Sequence, residues 1–325
     1  MLLLGLLSCR WGQAEENIRI PLNGRAITTV DCSAKKPSVS VPFTLQDGLP
    51  VVRVTVNGRK EEAFVIDSGF ERTVLNSDQA AKLQVSLSEV SIGTVLGSGD
   101  SKGQSLLSAR SLRLKFGKTL ILKGDIPAVS LIDLSSKLGL QISGIIGYDL
   151  FRANTTALDY IHKKFLIYKS KEFGSEHCAN SAEFTISGTD SYPVLTTEMG
   201  VAEQDFGTAR VLIDTGFQRG LMMTRLFGRL HHLTSSQDWK QSTGTGIGGD
   251  FKYLYGSAGW IRLGAKRLTL SQVSISQAKE GLSATNTYDA LMGGSILMDY
   301  EIIFDTSHSR TMFVGSDLTG SLSSP

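Results

Sequence analysis

One phrase occurs twice in this chain, and the distance between its copies constrains the fold more than any other feature. Phe64-Val65-Ile66-Asp67-Ser68-Gly69 is answered by Val211-Leu212-Ile213-Asp214-Thr215-Gly216, so Asp67 and Asp214 lie 147 residues apart. Gly117, closing Leu112 to Phe116, and Gly264, closing Trp260 to Leu263, are also 147 apart. Ile145-Ile146-Gly147 and Leu291-Met292-Gly293 are 146 apart, as are Asp159 and Asp305, and His162 and His308. A near-constant offset over this span marks an internal duplication. The chain is then one unit written twice, with an Asp at the same place in each copy.

Each copy reads as mostly strand. Val51 to Val56 ends at Asn57-Gly58, a hairpin signal. Lys164 to Tyr168 and Thr311 to Val314 are short apolar strands that close the copies. Helices are expected to be few and short. Asn76-Ser77-Asp78 is placed to cap Gln79 to Leu83, and Thr224 to cap Arg225 to Leu230. With 325 residues there is room for two domains. The expected division is a leader over 1–16, an extension over 17–42, a first lobe over 43–172 and a second over 173–325. The joint falls in the polar stretch Lys169 to Ala182, and the extension is expected to add a strand or two beneath both lobes.

Composition excludes some functions. A net charge of +2 and the lack of a basic run give no reason to invoke nucleic acid. Three Cys and five His without Cys-x-x-Cys or His-Glu-x-x-His spacing predict no metal site. No cofactor is expected. The apolar run Leu2 to Leu7 is far shorter than the roughly 20 residues that span a bilayer. With Ser8-Cys9 it resembles a truncated signal peptide carrying a bacterial lipoprotein box, which makes Cys9 a lipidation candidate. The expectation is export to a bacterial cell envelope, periplasmic or anchored by lipid; the plain alternative is a frayed apolar N-terminus. Cys32 and Cys178 then remain, as a disulfide between the N-terminal strand and the start of the second half or as two buried thiols.

Two carboxylates brought together can share one proton, because like charges a few ångströms apart do not both ionise. Such a pair titrates as a unit. Its ionised member can take a proton from water while the protonated member polarises a peptide carbonyl. The flanking residues suit that task. Buried strands deliver Asp67 and Asp214, Gly69 and Gly216 allow tight turns and close approach, and Ser68 and Thr215 can donate hydrogen bonds to the facing loop. Ile146-Gly147 and Met292-Gly293 can pack against the Asp-bearing loops. One copy alone would read as a turn after a strand.

The doubled apolar-Asp-Ser/Thr-Gly, each copy followed about 80 residues on by apolar-apolar-Gly, resembles the pepsin/retropepsin superfamily of aspartic proteases over residues 43 to 316. The resemblance implies an all-β fold: two pseudo-symmetric retropepsin-like β-barrel lobes facing each other across a cleft, with few short helices. It places the catalytic pair on Asp67 and Asp214 and the bracing hydroxyls on Ser68 and Thr215. It also makes flaps of the Gly-rich stretches Gly93 to Asp100 and Gly244 to Asp250, with Gly97, Gly99, Gly246, Gly248 and Gly249 near their tips. Neither stretch holds a Tyr, which is closer to a fused retropepsin pair than to pepsin. Where the family usually places Ala, Ser or Thr, this chain has Phe70 and Phe217, either packing residues or the loss of a hydrogen bond at the dyad. Arg72 and Arg219 follow two residues later, to bridge loops or to face the cleft and meet an acidic group.

Gly99-Asp100-Ser101-Lys102-Gly103 fits the serine-hydrolase elbow, but that motif needs a helix after it, and a strand-like stretch follows. The leading expectation is therefore a single-chain aspartic endopeptidase acting on a peptide or protein substrate and self-sufficient as a monomer. The alternative is a catalytically weak or inactive peptide-binding module of the envelope.

Overall fold

The computed structural model describes residues 18–19, 27–95, 103–169, 173, 177–186, 192–235, 239–247, 249–315 and 318. The expected leader with Cys9, and Gly97, Gly99 and Gly248 of the Gly-rich stretches, lie outside them. The fold is all-β. The longest described helix, Ile132–Leu138, has seven residues, and among the described residues no helix is long and apolar enough to cross a membrane.

In the first copy, Leu49–Val56, Glu61–Ile66, Gly144–Ile146, Val74–Asn76, Thr119–Val129 and Gln104–Phe116 are neighbours in that order. The last pairs back onto the first through Thr55 and Val56, which closes a six-stranded barrel. Period-two patterning drives it: Val52, Val54 and Val56 are fully buried while Arg53 faces water. Asn57 and Gly58 both have positive φ, which their residue types tolerate best. The long strand Gln104–Phe116 has to bend to close the ring, and it shifts register between Ala109 and Leu112, with Ser111 at φ 54°. An extra residue of this kind bends and twists a strand.

The second copy repeats these neighbours with one difference. Val194–Val201, Gln204–Ile213, Ala290–Met292, Leu221–Met223 and Ser274–Ser276 follow the same order. The long bent strand is here two strands, Gly249–Tyr255 and Gly259–Leu263, parted at residues 256–258. The first pairs with Ser274–Ser276 and the second with Val194–Val201. Both copies bend at this place, the first through a register shift and the second through a break.

The copies share a six-stranded layer in the order Ser181–Thr185, Arg310–Val314, Glu301–Asp305, Thr155–Asp159, Lys164–Tyr168 and Val39–Gln46. Its central pair is antiparallel, with Ala157 opposite Ile303. These are equivalent residues at the 146 offset, so the pseudo-twofold axis runs through this pair. Asp159 and Asp305, also equivalent, each receive a His three residues on: His162 Nδ1 at 2.7 Å and His308 Nδ1 at 2.8 Å. One face of the layer (Leu158, Phe165, Ile302, Phe304, Phe313) joins the main core. The other (Ala157, Leu166, Tyr168, Ile303, Met312) packs on Phe173 and on a disulfide between Cys32 and Cys178, whose Cα atoms are 5.3 Å apart. Of the two arrangements open for these cysteines, the structure has the bridge. It fastens the strand Ile27–Val30, from the extension, alongside His177–Cys178.

Candidate active site

Each Asp stands at the end of a strand whose last three residues are buried. Phe64–Ile66 runs parallel to Gly144–Ile146, and Val211–Ile213 to Ala290–Met292. The amide of Asp67 donates to the Ile146 carbonyl at 3.0 Å, and that of Asp214 to the Met292 carbonyl at 2.9 Å. The second motif of each copy thus holds the Asp of the same copy by the main chain. Gly147 and Gly293 follow because nothing larger fits: a Cβ there would lie 2.3 Å from the Arg72 carbonyl carbon and 2.2 Å from the Phe217 carbonyl oxygen.

The two Asp loops then lock to each other. The Ser68 amide donates to Thr215 Oγ1 at 2.9 Å, and the Thr215 amide to Ser68 Oγ at 3.1 Å. Each hydroxyl donates onward across the axis, Ser68 Oγ to the Ile213 carbonyl at 2.7 Å and Thr215 Oγ1 to the Ile66 carbonyl at 3.0 Å. Both side chains are fully buried. Four buried hydrogen bonds with no unpaired member make a rigid base, since unmade buried bonds are costly.

On that base the carboxyls meet. Asp67 Oδ1 accepts from the Gly69 amide and Asp214 Oδ1 from the Gly216 amide, each at 2.9 Å. A Cβ on Gly69 would lie 2.5 Å from the Asp214 carboxyl, and one on Gly216 2.2 Å from that of Asp67. Each carboxyl therefore sits over the other loop's glycine. Burial pushes Asp67 up to about 6, opposed by the Gly69 and Phe70 amides and the Asp214 side chain. Burial, and next the negative charge of Asp67, raise Asp214 well above the ordinary carboxylate range. Between the two titrations the pair carries one proton.

Glycine at 216 is thus required by the facing carboxyl and not by its own backbone. Gly216→Ala is expected to lower kcat/KM by about a hundredfold, on the scale of an ångström displacement of a reacting group. Its melting temperature should change little, because the displaced atoms end a flexible side chain. Parent-like kinetics for this variant would show that the carboxyl position does not matter.

The dyad opens into a cleft of about 400 Å³. Phe70 and Phe217 both line it, with unequal roles: Phe70 is buried among Val65, Val74, Leu131 and Ile145, whereas Phe217 is partly exposed. Packing accounts for Phe70. The two arginines also part company. Arg219 lines the cleft, while Arg72 lies outside its lining with a mostly exposed side chain 3.8 Å from Glu71.

The second Gly-rich stretch is a hairpin, Lys240–Gly246 against Gly249–Tyr255, closed by Gly246 opposite Gly249. Residues 243 to 247 line the cleft, and Ile247 packs on the apolar cluster of the first lobe. Gln104 Nε2 donates to the Ile247 carbonyl at 2.5 Å, so the hairpin reaches across to the opposite copy. The first stretch is described only at its flanks, Gly93–Val95 and Gln104–Phe116, which pair antiparallel. The second flank is a strand, so the Gly-Asp-Ser-Lys-Gly match lacks the helix a nucleophile elbow needs.

Several residues of the cleft and of the Asp loops escape a reading by repeats, because the copies differ there. Lys137 lines the first-lobe side, and its equivalent at the 146 offset is Ser283. Asp47 receives Gln218 Nε2 at 3.1 Å. Thr73 and Asp149 brace the first Asp loop, with Thr73 Oγ1 donating to Asp149 Oδ1 at 2.7 Å; Gly220 and Ser295 stand in their places in the second copy. Tyr253 faces the cleft from the strand leaving the second hairpin, and the alternation Phe251, Tyr253, Tyr255 was its signal in the sequence.

Residues 52–150 match the family model described as aspartyl protease. The match covers the first barrel with Asp67 and its second motif. A search of curated proteins finds no match to the chain.

Proposed function

We propose, from the pepsin/retropepsin-like aspartyl protease family to which residues 52–150 are matched, that this chain is a single-chain aspartic endopeptidase with Asp67 and Asp214 as its catalytic pair. The reciprocal lock between Ser68 and Thr215 carries the reading, because it sets two buried carboxyls against each other across the axis. With one proton shared by the pair, its ionised carboxyl takes a proton from the attacking water. Its protonated carboxyl donates to the scissile carbonyl, and the leaving nitrogen regains a proton from the pair as the C–N bond breaks. No covalent intermediate is needed. An extended peptide in the cleft would pair with the Gly244–Gly249 hairpin, which acts as a flap, and the first Gly-rich stretch is proposed as its counterpart.

The elevated carboxyls set the pH range. Below about 6 both are protonated and no base remains, so kcat/KM should rise through about pH 6 and fall only when the second proton leaves. The test is a pH–rate profile on a fluorogenic peptide, with a statine-type peptide as competitor. Its hydroxyl replaces the attacking water, so strong competition is expected. An optimum near pH 3 would contradict the raised titration of the pair, and no competition would contradict the assignment. Statine binding without turnover would point to a peptide-binding module. We further propose export to a cell envelope and action as a monomer; the Cys32–Cys178 bridge supports an oxidising compartment.

A further inference from the structure

The duplicated scaffold presents a cleft whose two sides are chemically unlike, and the difference centres on the two arginines. Arg72 and Arg219 hold equivalent sequence positions, five residues after each Asp. Only Arg219 lines the cleft. Its main chain is fixed there: the Ser295 amide donates to its carbonyl at 3.3 Å, and the missing Cβ of Gly293 makes room for that carbonyl. Its guanidinium lies 4.7 Å from the Tyr253 ring centre and donates from Nη2 to the Tyr253 hydroxyl. The first-copy counterpart of Tyr253 is Leu106, which supplies no such platform.

Among the described residues, the Arg219 side chain meets no carboxylate. Its polar partner among them is the Tyr253 hydroxyl, which leaves most of its five N–H donors without a partner among the described residues. Phe217, Met222, Phe251 and Leu291 line the same cleft and belong to one apolar cluster with Tyr253. An arginine held on an aromatic face, in a cleft with this apolar lining, suits a carboxylate at the end of a short aliphatic stem. The geometry points to Arg219 as the specificity residue of a subsite on the second-lobe side of the cleft, one that selects a glutamate side chain of the bound peptide. This rests on the peptide-cleft reading above and adds the substrate class.

The deciding experiment uses full-length protein and amidated statine peptides that carry Glu, Gln or Lys at successive positions beside the statine. Binding is read by calorimetry, so it does not depend on turnover. At one position Glu should bind about tenfold or more tighter than Gln, the scale of a charge-assisted pair in a partly screened site. Arg219→Gln should abolish that preference, Arg219→Glu should turn it toward Lys, and Arg72→Ala should leave it intact. Equal binding of the Glu and Gln peptides, or a Glu preference that survives Arg219→Gln, overturns the inference while leaving the protease reading standing. A preference seen only with a free peptide C-terminus reassigns the carboxylate to the chain end and also overturns it. Failure of every peptide to bind overturns both readings.

Discussion

Asp214→Asn is expected to cut peptide hydrolysis by at least about a thousandfold and, at the same time, to make the protein more stable at neutral pH. Both effects come from the same burial. An amide cannot share the proton, so the water loses its base–acid pair, while the hydrogen bonds among Ser68, Thr215 and the main chain are untouched. The stability sign follows from linkage. Asp67 and Asp214 both titrate higher in the folded state than the ordinary aspartate value of 3.8, so the folded chain binds protons more tightly than the unfolded one. For Asp67 that contribution is fully present below about pH 4 and is lost as pH rises through about 6. At pH 7.5 the wild type therefore bears the cost of burying two carboxyls that the unfolded chain ionises freely, and the amide removes one of them. The gain grows with pH, because the unfolded wild type releases a proton that the folded pair holds more tightly. Chemical denaturation at pH 4.5 and 7.5 checks this: the variant should gain on the wild type at the higher pH. A variant less stable at both pH values would contradict the picture of the dyad as a strained, desolvated pair.

Removing the Cys32–Cys178 bridge is expected to give the largest loss of stability of any change outside the core. It spans 146 residues, and the loop-closure entropy for that length is worth about 5 kcal/mol, with about 2–5 the usual range when a native bridge is removed. The bridge is buried against Phe173, Tyr168 and Met312, on the face of the shared layer away from the main core. Cys32→Ala with Cys178→Ala should therefore lower the denaturant midpoint sharply while leaving kcat/KM near that of the wild type, since neither residue lines the cleft. An unchanged midpoint, in this variant or on reduction, would mean that the N-terminal strand contributes nothing to holding the copies together.

Where the copies agree, the sequence was informative, because turn chemistry and spacing are local. Asp-Ser/Thr-Gly states its own geometry: a carboxyl, a hydroxyl to reach across, and a glycine for the facing carboxyl. The cap at Thr224 was legible for the same reason, and its hydroxyl accepts the Phe227 amide; Asn76 also caps, but a 3-10 turn over Ser77–Gln79 that precedes an uncapped helix at Ala80–Leu83. The bend at Ser111 was not, because a bulge in one copy and a break in the other leave no shared residue pattern. The fates of Arg72 and Arg219 were hidden too. Both follow Phe by two residues, and only the neighbour supplied by a distant strand, Tyr253 or Leu106, separates them. The cysteine pairing stayed open because it depends on a Cα separation that no spacing rule gives.

The most direct test of the central claim is a peptide-library digest at pH 6 to 7, read by mass spectrometry, with wild type, Asp67→Asn and Asp214→Asn side by side. The wild type should make internal cleavages that a statine peptide suppresses and that both variants lack. Cleavage that persists unchanged in either variant would contradict a dyad built from Asp67 and Asp214.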